Sequence, residues 1–180
     1  RCYTAASPDN SMRRVTTQVR TRRRNYRGRM RISNTRKYLL LLSIHGLIRG
    51  HELELGRDAD TGGQTKYVVD LARALATQEG VERVDLVTRM VRDRSLSTDY
   101  AAPVEMLSGK ARIIRIDAGP AEYIPKELLW DHLDGLLDNL VSWLQDQPRK
   151  PDVVHSHYAD AGYVGVRLSN LLAVPLVYTG

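Results

Sequence analysis

The chain has 180 residues and a formal net charge of +6, and its length suits one domain of ordinary size. Hydrophobic residues make up 42% of the sequence, which excludes a wholly disordered protein because such a chain has enough apolar surface to form a core. Cys2 is the only cysteine, so an intrachain disulfide and a cysteine-based metal cage are both excluded.

The positive charge is concentrated at the amino terminus. Residues 1–37 contain 12 of the 27 basic residues but only one of the 21 acidic residues, Asp9, which leaves 15 basic and 20 acidic residues for 38–180. Because this segment is arginine-rich and lacks apolar periodicity, we predict a disordered basic extension over residues 1–37. Three interpretations of it stay open: an extension without function, an organelle transit peptide, and an arm that binds nucleic acid. The mildly acidic remainder of the chain makes nucleic acid an unfavoured partner.

Membrane association is not expected. The apolar run at 38–42 is too short to span a bilayer, and the amino-terminal segment contains no hydrophobic signal-peptide core. We therefore expect a cytoplasmic protein.

Residues 38–180 alternate between short apolar runs and amphipathic segments. The runs predict strands at 38–44, 84–88, 112–116, 152–158 and 174–179. Apolar residues at helical spacing predict helices at 64–78, 126–145 and 159–173. Strands joined by helix-length connections form a parallel sheet covered on both faces, with ligands at the carboxyl ends of the strands. The sequence therefore predicts one Rossmann-like α/β domain over residues 38–180.

A glycine pair, Gly62 and Gly63, lies directly before the first predicted helix, with Thr61 as its candidate N-cap. Backbone amides at a helix amino terminus bind anions, so this loop is a candidate phosphate site. The alternative is that the two glycines only permit a tight start to the helix. The sequence contains neither the dinucleotide fingerprint G-x-G-x-x-G nor the P-loop pattern, so neither of those site types is supported.

The stretch HSHYADAG follows a predicted buried strand and begins a helix. His155 and His157 share one face of that strand, but no third residue at metal-ligand spacing accompanies them, so a metal site is disfavoured. We expect His155 to be packed and hydrogen-bonded, and His157 and Tyr158 to have better access to a ligand. Asp160 is interpreted first as a helix cap.

Lys126 lies in the stretch YIPKELLW, at the first turn of the long predicted helix. A cation is unfavourable at this position unless an anion is near, because the helix amino terminus is itself positive. Lys126 is therefore a candidate anion-binding residue. The alternative is that Lys126 is solvated, so that its position at the helix start costs little free energy.

Four long motifs of this sequence resemble the amino-terminal domain of sucrose-phosphate synthases, a family of GT-B glycosyltransferases in glycosyltransferase family 4. They are SIHGLIRGHELELGRDADTGGQTKYVVDLARALA, RVDLVTR, YIPKELLW and HSHYADAG, and they occur in order between residues 38 and 180. The resemblance implies a retaining enzyme that transfers glucose from UDP-glucose to fructose 6-phosphate and forms sucrose 6-phosphate. The sequence departs from the family's pattern at IDAGP and WDHLDG, which affects the loops around Asp117 and Asp131.

The resemblance also implies roles for individual residues. Gly62 and Gly63 match a loop beside the donor diphosphate and the acceptor sugar, Gln64 matches a contact to an acceptor hydroxyl, and Lys126 matches the residue that grips the acceptor phosphate. Tyr158 and, beside it, His157 match acceptor-side contacts. No catalytic residue is assigned within these 180 residues, because the family's donor-binding domain lies beyond VYTG, and the fragment alone is expected to be inactive.

The resemblance implies no cofactor and no metal. Three alternatives are kept: a transferase like the sucrose synthases, which share DTGGQ, a non-catalytic protein that binds a sugar phosphate, and a nucleic-acid-binding protein.

Overall fold

A computed structural model describes residues 36–57 and 59–180. The predicted basic extension lies outside the described residues except for its last two positions, and Lys37 already begins the first strand. Six strands form one sheet: β1 (Lys37–Leu42), β2 (Val81–Arg89), β3 (Val104–Met106), β4 (Ala111–Ile116), β5 (Val153–His157) and β6 (Leu176–Thr179). Three α-helices connect them: α1 (Gly63–Ala76), α2 (Leu133–Gln145) and α3 (Tyr158–Leu172).

The strand order is β3-β4-β2-β1-β5-β6, and every neighbouring pair is parallel except β3 and β4. β1 lies between β2 and β5, so the chain builds the sheet first towards one edge and then towards the other. Such a reversal opens a crevice at the carboxyl ends of the two strands that flank it. The predicted Rossmann-like α/β fold is confirmed, with the addition of the antiparallel β3.

Alternate residues of the central strand face opposite layers. Leu41 packs with Val68 and Ala72 of α1, whereas Leu40 and Leu42 pack with the leucines of α2 and α3. Leu40, Leu41 and Leu42 are each fully buried. The continuous apolar run of β1 is therefore explained by burial on both faces, the arrangement expected of a parallel sheet.

The long helix predicted from Lys126 is shorter than expected. Residues 126–132 form two short 3₁₀ turns, Lys126–Leu128 and Trp130–His132, and the α-helix begins only at Leu133. The backbone N–H of Lys126 donates to the carboxylate of Asp60 at 2.9 Å, and the turns that follow are closed by bonds such as Leu129 N–H to the carbonyl of Lys126. Short 3₁₀ turns are frequent at the ends of α-helices, and the spacing of apolar residues does not distinguish them from a regular helix.

Within residues 36–57 and 59–180, no helix combines the length and the hydropathy that crossing a membrane would require.

Candidate functional site

The candidate site lies where β1 and β5 end. These strands pair in register up to Leu42 and Ser156, so the loops that follow them emerge side by side. A cavity of about 200 Å³ lies between the loops. Its walls come from the loop before α1, from the 3₁₀ segment and from the start of α3: His45, Ala59, Asp60, Gly62, Gly63, Gln64, Lys126 and Tyr158. The structure thus brings together five of the six residues singled out from the sequence.

The glycine pair forms the open amino terminus of α1. Gly62 is the N-cap residue, no side chain caps the helix, and its first turn holds no acidic residue. A Cβ atom added to Gly62 or Gly63 would meet nothing within 4 Å, so the space beside this backbone is empty. The positive end of the helix dipole therefore faces an accessible cavity. Thr61 is not the N-cap, because its hydroxyl accepts a hydrogen bond from the N–H of Leu47 at 3.2 Å.

Gln64 presents its carboxamide from the first turn of α1. Its Nε2 donates to the hydroxyl of Ser43 at 3.0 Å, and Ser43 is fully buried at the end of β1. This hydrogen bond orients the amide group within the cavity wall.

His45 completes the cavity and was missed by the sequence analysis. It is 6% exposed, its Nδ1 lies 2.9 Å from Oδ2 of Asp160, and its ring meets the ring of Tyr158 edge to face at 5.2 Å. Burial disfavours the imidazolium, but the hydrogen bond and the charge of Asp160, with smaller effects of Gln64 and Asp60, outweigh burial and raise the pKa of His45. We had expected Asp160 to cap α3. Its carboxylate instead contacts the ring of His45.

A sequence signal for His45 existed in the glycine that follows it. Gly46 has a φ of +80°, and a Cβ atom there would lie 2.6 Å from the carbonyl oxygen of Asp60. Only glycine fits such a position without strain. A glycine shortly after the first strand indicates a turn with positive φ at the edge of the sheet where ligands bind, and His45 precedes this glycine.

Lys126 already has an anionic partner within the chain. Its side chain is 47% exposed, and its Nζ lies 3.0 Å from Oδ1 of Asp60. The hydrogen bond and the charge of Asp60 raise the pKa of Lys126, and the two Lys126 hydrogen bonds outweigh burial and lower the pKa of Asp60. The expectation that Lys126 needs an external anion at the start of an α-helix is therefore corrected, since no α-helix begins there and Asp60 supplies the charge.

Tyr158 reaches the cavity from a strained position. It is 46% exposed and has a φ of +68°, in the left-handed region that a bulky residue rarely adopts. Strain of this kind costs of order 1–3 kcal/mol and is concentrated at functional sites. The turn between β5 and α3 directs this ring beside His45.

His157 lies away from the cavity, contrary to the expectation that it has access to a ligand. It is 1% exposed, and its ring contacts Tyr67 of α1 and lies 4.2 Å from the ring of His155. Burial, with a contribution from His155, lowers the pKa of His157 to about 4. His155 is partly buried and hydrogen-bonded to the hydroxyl of Thr179 at 2.9 Å, as expected.

Among the residues that the structure describes, no group of three or more histidine, cysteine or acidic side chains is placed to hold a metal ion. A second cavity of about 250 Å³ shares His45, Lys126 and Tyr158 with the first and extends towards Trp130 and Asp160. The site is therefore an open trough that lies on both sides of Lys126 and Tyr158.

The family profile of the glycosyl transferase 4-like domain matches residues 62–179. The chain belongs to this family. The matched region of this glycosyl transferase 4-like domain begins at the glycine pair and includes Lys126 and Tyr158. The family assignment therefore covers most of the cavity wall.

Among curated proteins, the domain is 48% identical to sucrose-phosphate synthase 4 of Arabidopsis thaliana over 169 residues and 46% identical to the sucrose-phosphate synthase of Zea mays over 168 residues. These alignments cover 82% and 79% of this chain, but only 16% of either relative. The chain thus spans about a sixth of the length of the curated relatives that it matches.

A solved sucrose-phosphate synthase from Thermosynechococcus elongatus superposes with a TM-score of 0.62 at 29% identity, covering 79% of this chain and 32% of that one. The resemblance to the amino-terminal GT-B domain of sucrose-phosphate synthases is confirmed.

Proposed function

We propose that this chain binds the sugar acceptor for a retaining glucosyltransferase that forms sucrose 6-phosphate from UDP-glucose and fructose 6-phosphate. The observation that carries the proposal is one cavity in which the open amino terminus of α1 and the ammonium group of Lys126 face the same space. The names of the relatives supply the reaction, since the matched plant and cyanobacterial proteins are sucrose-phosphate synthases.

The chemistry of the cavity suits a phosphorylated sugar. Lys126 offers an exposed ammonium group to the phosphate, and Gln64 and Tyr158 offer hydrogen-bonding groups to sugar hydroxyls. The backbone of Gly62 and Gly63 faces the same space and is placed to approach the diphosphate of the donor.

The charge of the cavity favours binding in its more protonated state. Lys126 is paired with Asp60, and His45 is paired with Asp160, so the two pairs are balanced only when His45 is an imidazolium. Protonated His45 leaves the helix dipole as uncompensated positive potential for a phosphate. When His45 is neutral, the two pairs carry one excess carboxylate, and this negative charge repels the phosphate.

The donor nucleotide and the groups that stabilise its departing diphosphate are assigned to parts of the protein outside these 180 residues. In this proposal the chain contributes the acceptor subsite and one wall of the donor subsite. It carries no catalytic residue of its own, and the alternative of a sucrose synthase-like enzyme is distinguished by its use of free fructose.

Isothermal titration calorimetry of the purified chain tests the proposal. Fructose 6-phosphate is expected to bind saturably and more tightly than fructose or inorganic phosphate, because only it engages both the ammonium group and the hydroxyl contacts. Lys126→Ala is expected to lower the affinity for fructose 6-phosphate by about ten- to a hundredfold, since a charge-assisted contact contributes roughly 1.5–3 kcal/mol.

Lys66→Ala is the matched control, because Lys66 is an exposed lysine of α1 paired with Asp70 outside the cavity. Equal affinity for fructose and fructose 6-phosphate would contradict the proposed acceptor. In a longer protein that contains this chain, Lys126→Ala is expected to raise the KM for fructose 6-phosphate much more than the KM for UDP-glucose.

A further inference from the structure

Asp60 is a buried carboxylate in the wall of the cavity. It is 7% exposed, although it lies in a charged surface loop two residues before Gly62. It accepts hydrogen bonds from the backbone N–H of Lys126 at 2.9 Å and from the hydroxyl of Tyr123 at 3.3 Å, and it contacts Nζ of Lys126 at 3.0 Å. One side chain therefore joins the glycine loop to the segment that carries the lysine.

The two oxygens of Asp60 divide these contacts. Oδ2 accepts from the backbone of Lys126 and from Tyr123, whereas Oδ1 faces the ammonium group. An ammonium group has three N–H donors, so the contact with Oδ1 leaves donors available to a ligand. A lysine side chain loses rotamer entropy when it is fixed, and here Asp60 holds it before any ligand binds.

We propose that Asp60 is the positioning residue of the phosphate subsite: it holds the ammonium group of Lys126 at the cavity that the open amino terminus of α1 also lines, so that this group faces the phosphate of the sugar. This inference rests on the proposed function, because it assigns a role within the same sugar-phosphate site. Asp60 does not itself contact the sugar phosphate, and it acts through Lys126.

The contacts of Asp60 favour positioning over competition with the phosphate. A carboxylate that competed would have to withdraw from the ammonium group when the ligand arrives. Asp60 is held in place by the backbone of Lys126 and by Tyr123, neither of which depends on the ammonium group. The phosphate therefore approaches the ammonium group from its exposed side while Asp60 stays bound behind it.

Asp60→Asn is the test variant. An asparagine keeps one acceptor oxygen for the backbone N–H of Lys126 but replaces the other oxygen with an amide that cannot accept from the ammonium group. The affinity for fructose 6-phosphate, measured by calorimetry, is expected to fall about tenfold, and the affinity for fructose is expected to stay unchanged. A general structural defect would weaken both ligands together.

The titration of Lys126 provides a readout that needs no ligand. The Cε resonance of Lys126, followed by carbon-detected NMR in ¹³C-lysine-labelled protein, is expected to titrate at lower pH in Asp60→Asn than in the unaltered chain, because Asp60 raises the pKa of Lys126. Glu127→Gln removes a negative charge next to the same lysine and is the matched control. It is expected to shift the titration less and to leave the affinity for fructose 6-phosphate undiminished.

Unchanged or tighter binding of fructose 6-phosphate by Asp60→Asn overturns the positioning role, and tighter binding identifies Asp60 as a competitor. If the unaltered chain binds no fructose 6-phosphate, the proposed function fails, and the proposed phosphate role of Asp60 fails with it. The titration then decides a separate point, whether Asp60 holds the ammonium group, and an unchanged titration overturns that contact. If Asp60→Asn does not fold, Asp60→Glu keeps the charge but displaces it, and the same loss of fructose 6-phosphate affinity is expected.

Discussion

The Nδ1 atom of His45 lies 2.9 Å from Oδ2 of Asp160, and the backbone N–H of His45 donates to the same oxygen at 3.2 Å. This double contact joins the turn after β1 to the first turn of α3. It supports the imidazolium form of His45 and fixes the ring against Tyr158. The protonation state of a group in the cavity is thereby set by a residue 115 positions further along the chain.

Loss of the imidazolium as the pH rises through the raised pKa of His45 is expected to weaken fructose 6-phosphate binding, because one carboxylate stays uncompensated, and this loss opposes the gain from the second ionisation of the ligand's phosphate at about pH 6. Asp160→Asn removes the main cause of the raised pKa, so the decrease is expected at lower pH in this variant. Calorimetric titrations between about pH 5.5 and 8.5, a range that begins about one unit below the ordinary histidine pKa and extends further above it, measure both profiles. Identical profiles would contradict the role of the pair, with His51→Gln as a control outside the cavity.

His157 is expected to contribute to a loss of stability as the pH falls from 7 to 4. Its pKa is lowered to about 4, so the native protein keeps it neutral while the unfolded chain binds a proton near 6.5. The stabilisation is complete above the unfolded pKa and is lost as the pH falls towards the folded pKa, by roughly 3 kcal/mol in total. Urea denaturation of His157→Leu between pH 7 and pH 4 is expected to give a flatter dependence. An unaltered slope of unfolding free energy against pH would show that the imidazole of His157 does not contribute to the pH dependence of stability.

The variant Tyr158→Gly is expected to be more stable than Tyr158→Ala. This order is the reverse of the usual one, in which alanine stabilises a helix more than glycine. Because φ is +68°, any side chain with a Cβ atom is strained there, by about 1–2 kcal/mol. Glycine elsewhere in a helix costs about 0.5–1 kcal/mol relative to alanine. Thermal unfolding of Tyr158→Gly and Tyr158→Ala measures the difference. The ordinary order would indicate that the turn relaxes to a negative φ.

Gly63→Ala separates folding from binding. A Cβ atom at this position meets nothing within 4 Å, so the free energy of unfolding is expected to stay the same or to rise by up to about 1 kcal/mol. The new methyl group enters the cavity beside the open amino terminus of α1, so the affinity for fructose 6-phosphate is expected to fall. Gly80→Ala, which also has an open surrounding but lies far from the cavity in sequence, is the control. Undiminished affinity in Gly63→Ala would place the ligand away from this backbone.

The regular elements could be predicted from the sequence because buried strands and amphipathic helices have clear patterns. The strand β3 was missed because three residues at the sheet edge are too few for a pattern to appear. Residues 126–132 were predicted as α-helix because the spacing of their leucines does not distinguish 3₁₀ turns, which are frequent at helix ends, from a regular α-helix.

The site was predicted in part for a similar reason. Gly62, Gly63, Gln64, Lys126 and Tyr158 are placed at the cavity by the ends of elements, which periodicity locates. His45 was not singled out as a binding residue because its importance comes from a partner 115 positions away. His157 was misplaced because alternation along a strand gives its face but not what covers that face, and here Tyr67 of α1 does.

Because β1 lies between β2 and β5, the cavity is complete only when β5 is docked beside β1. The elements β1, α1, β2 and β4 come earlier in the chain and do not include the wall that follows β5. A polypeptide that ends before residue 150 would therefore retain the glycine turn and Lys126 but would lack Tyr158 and the wall that the start of α3 supplies. The time at which fructose 6-phosphate binding appears during refolding would report when β5 and the segment that follows it dock onto the sheet.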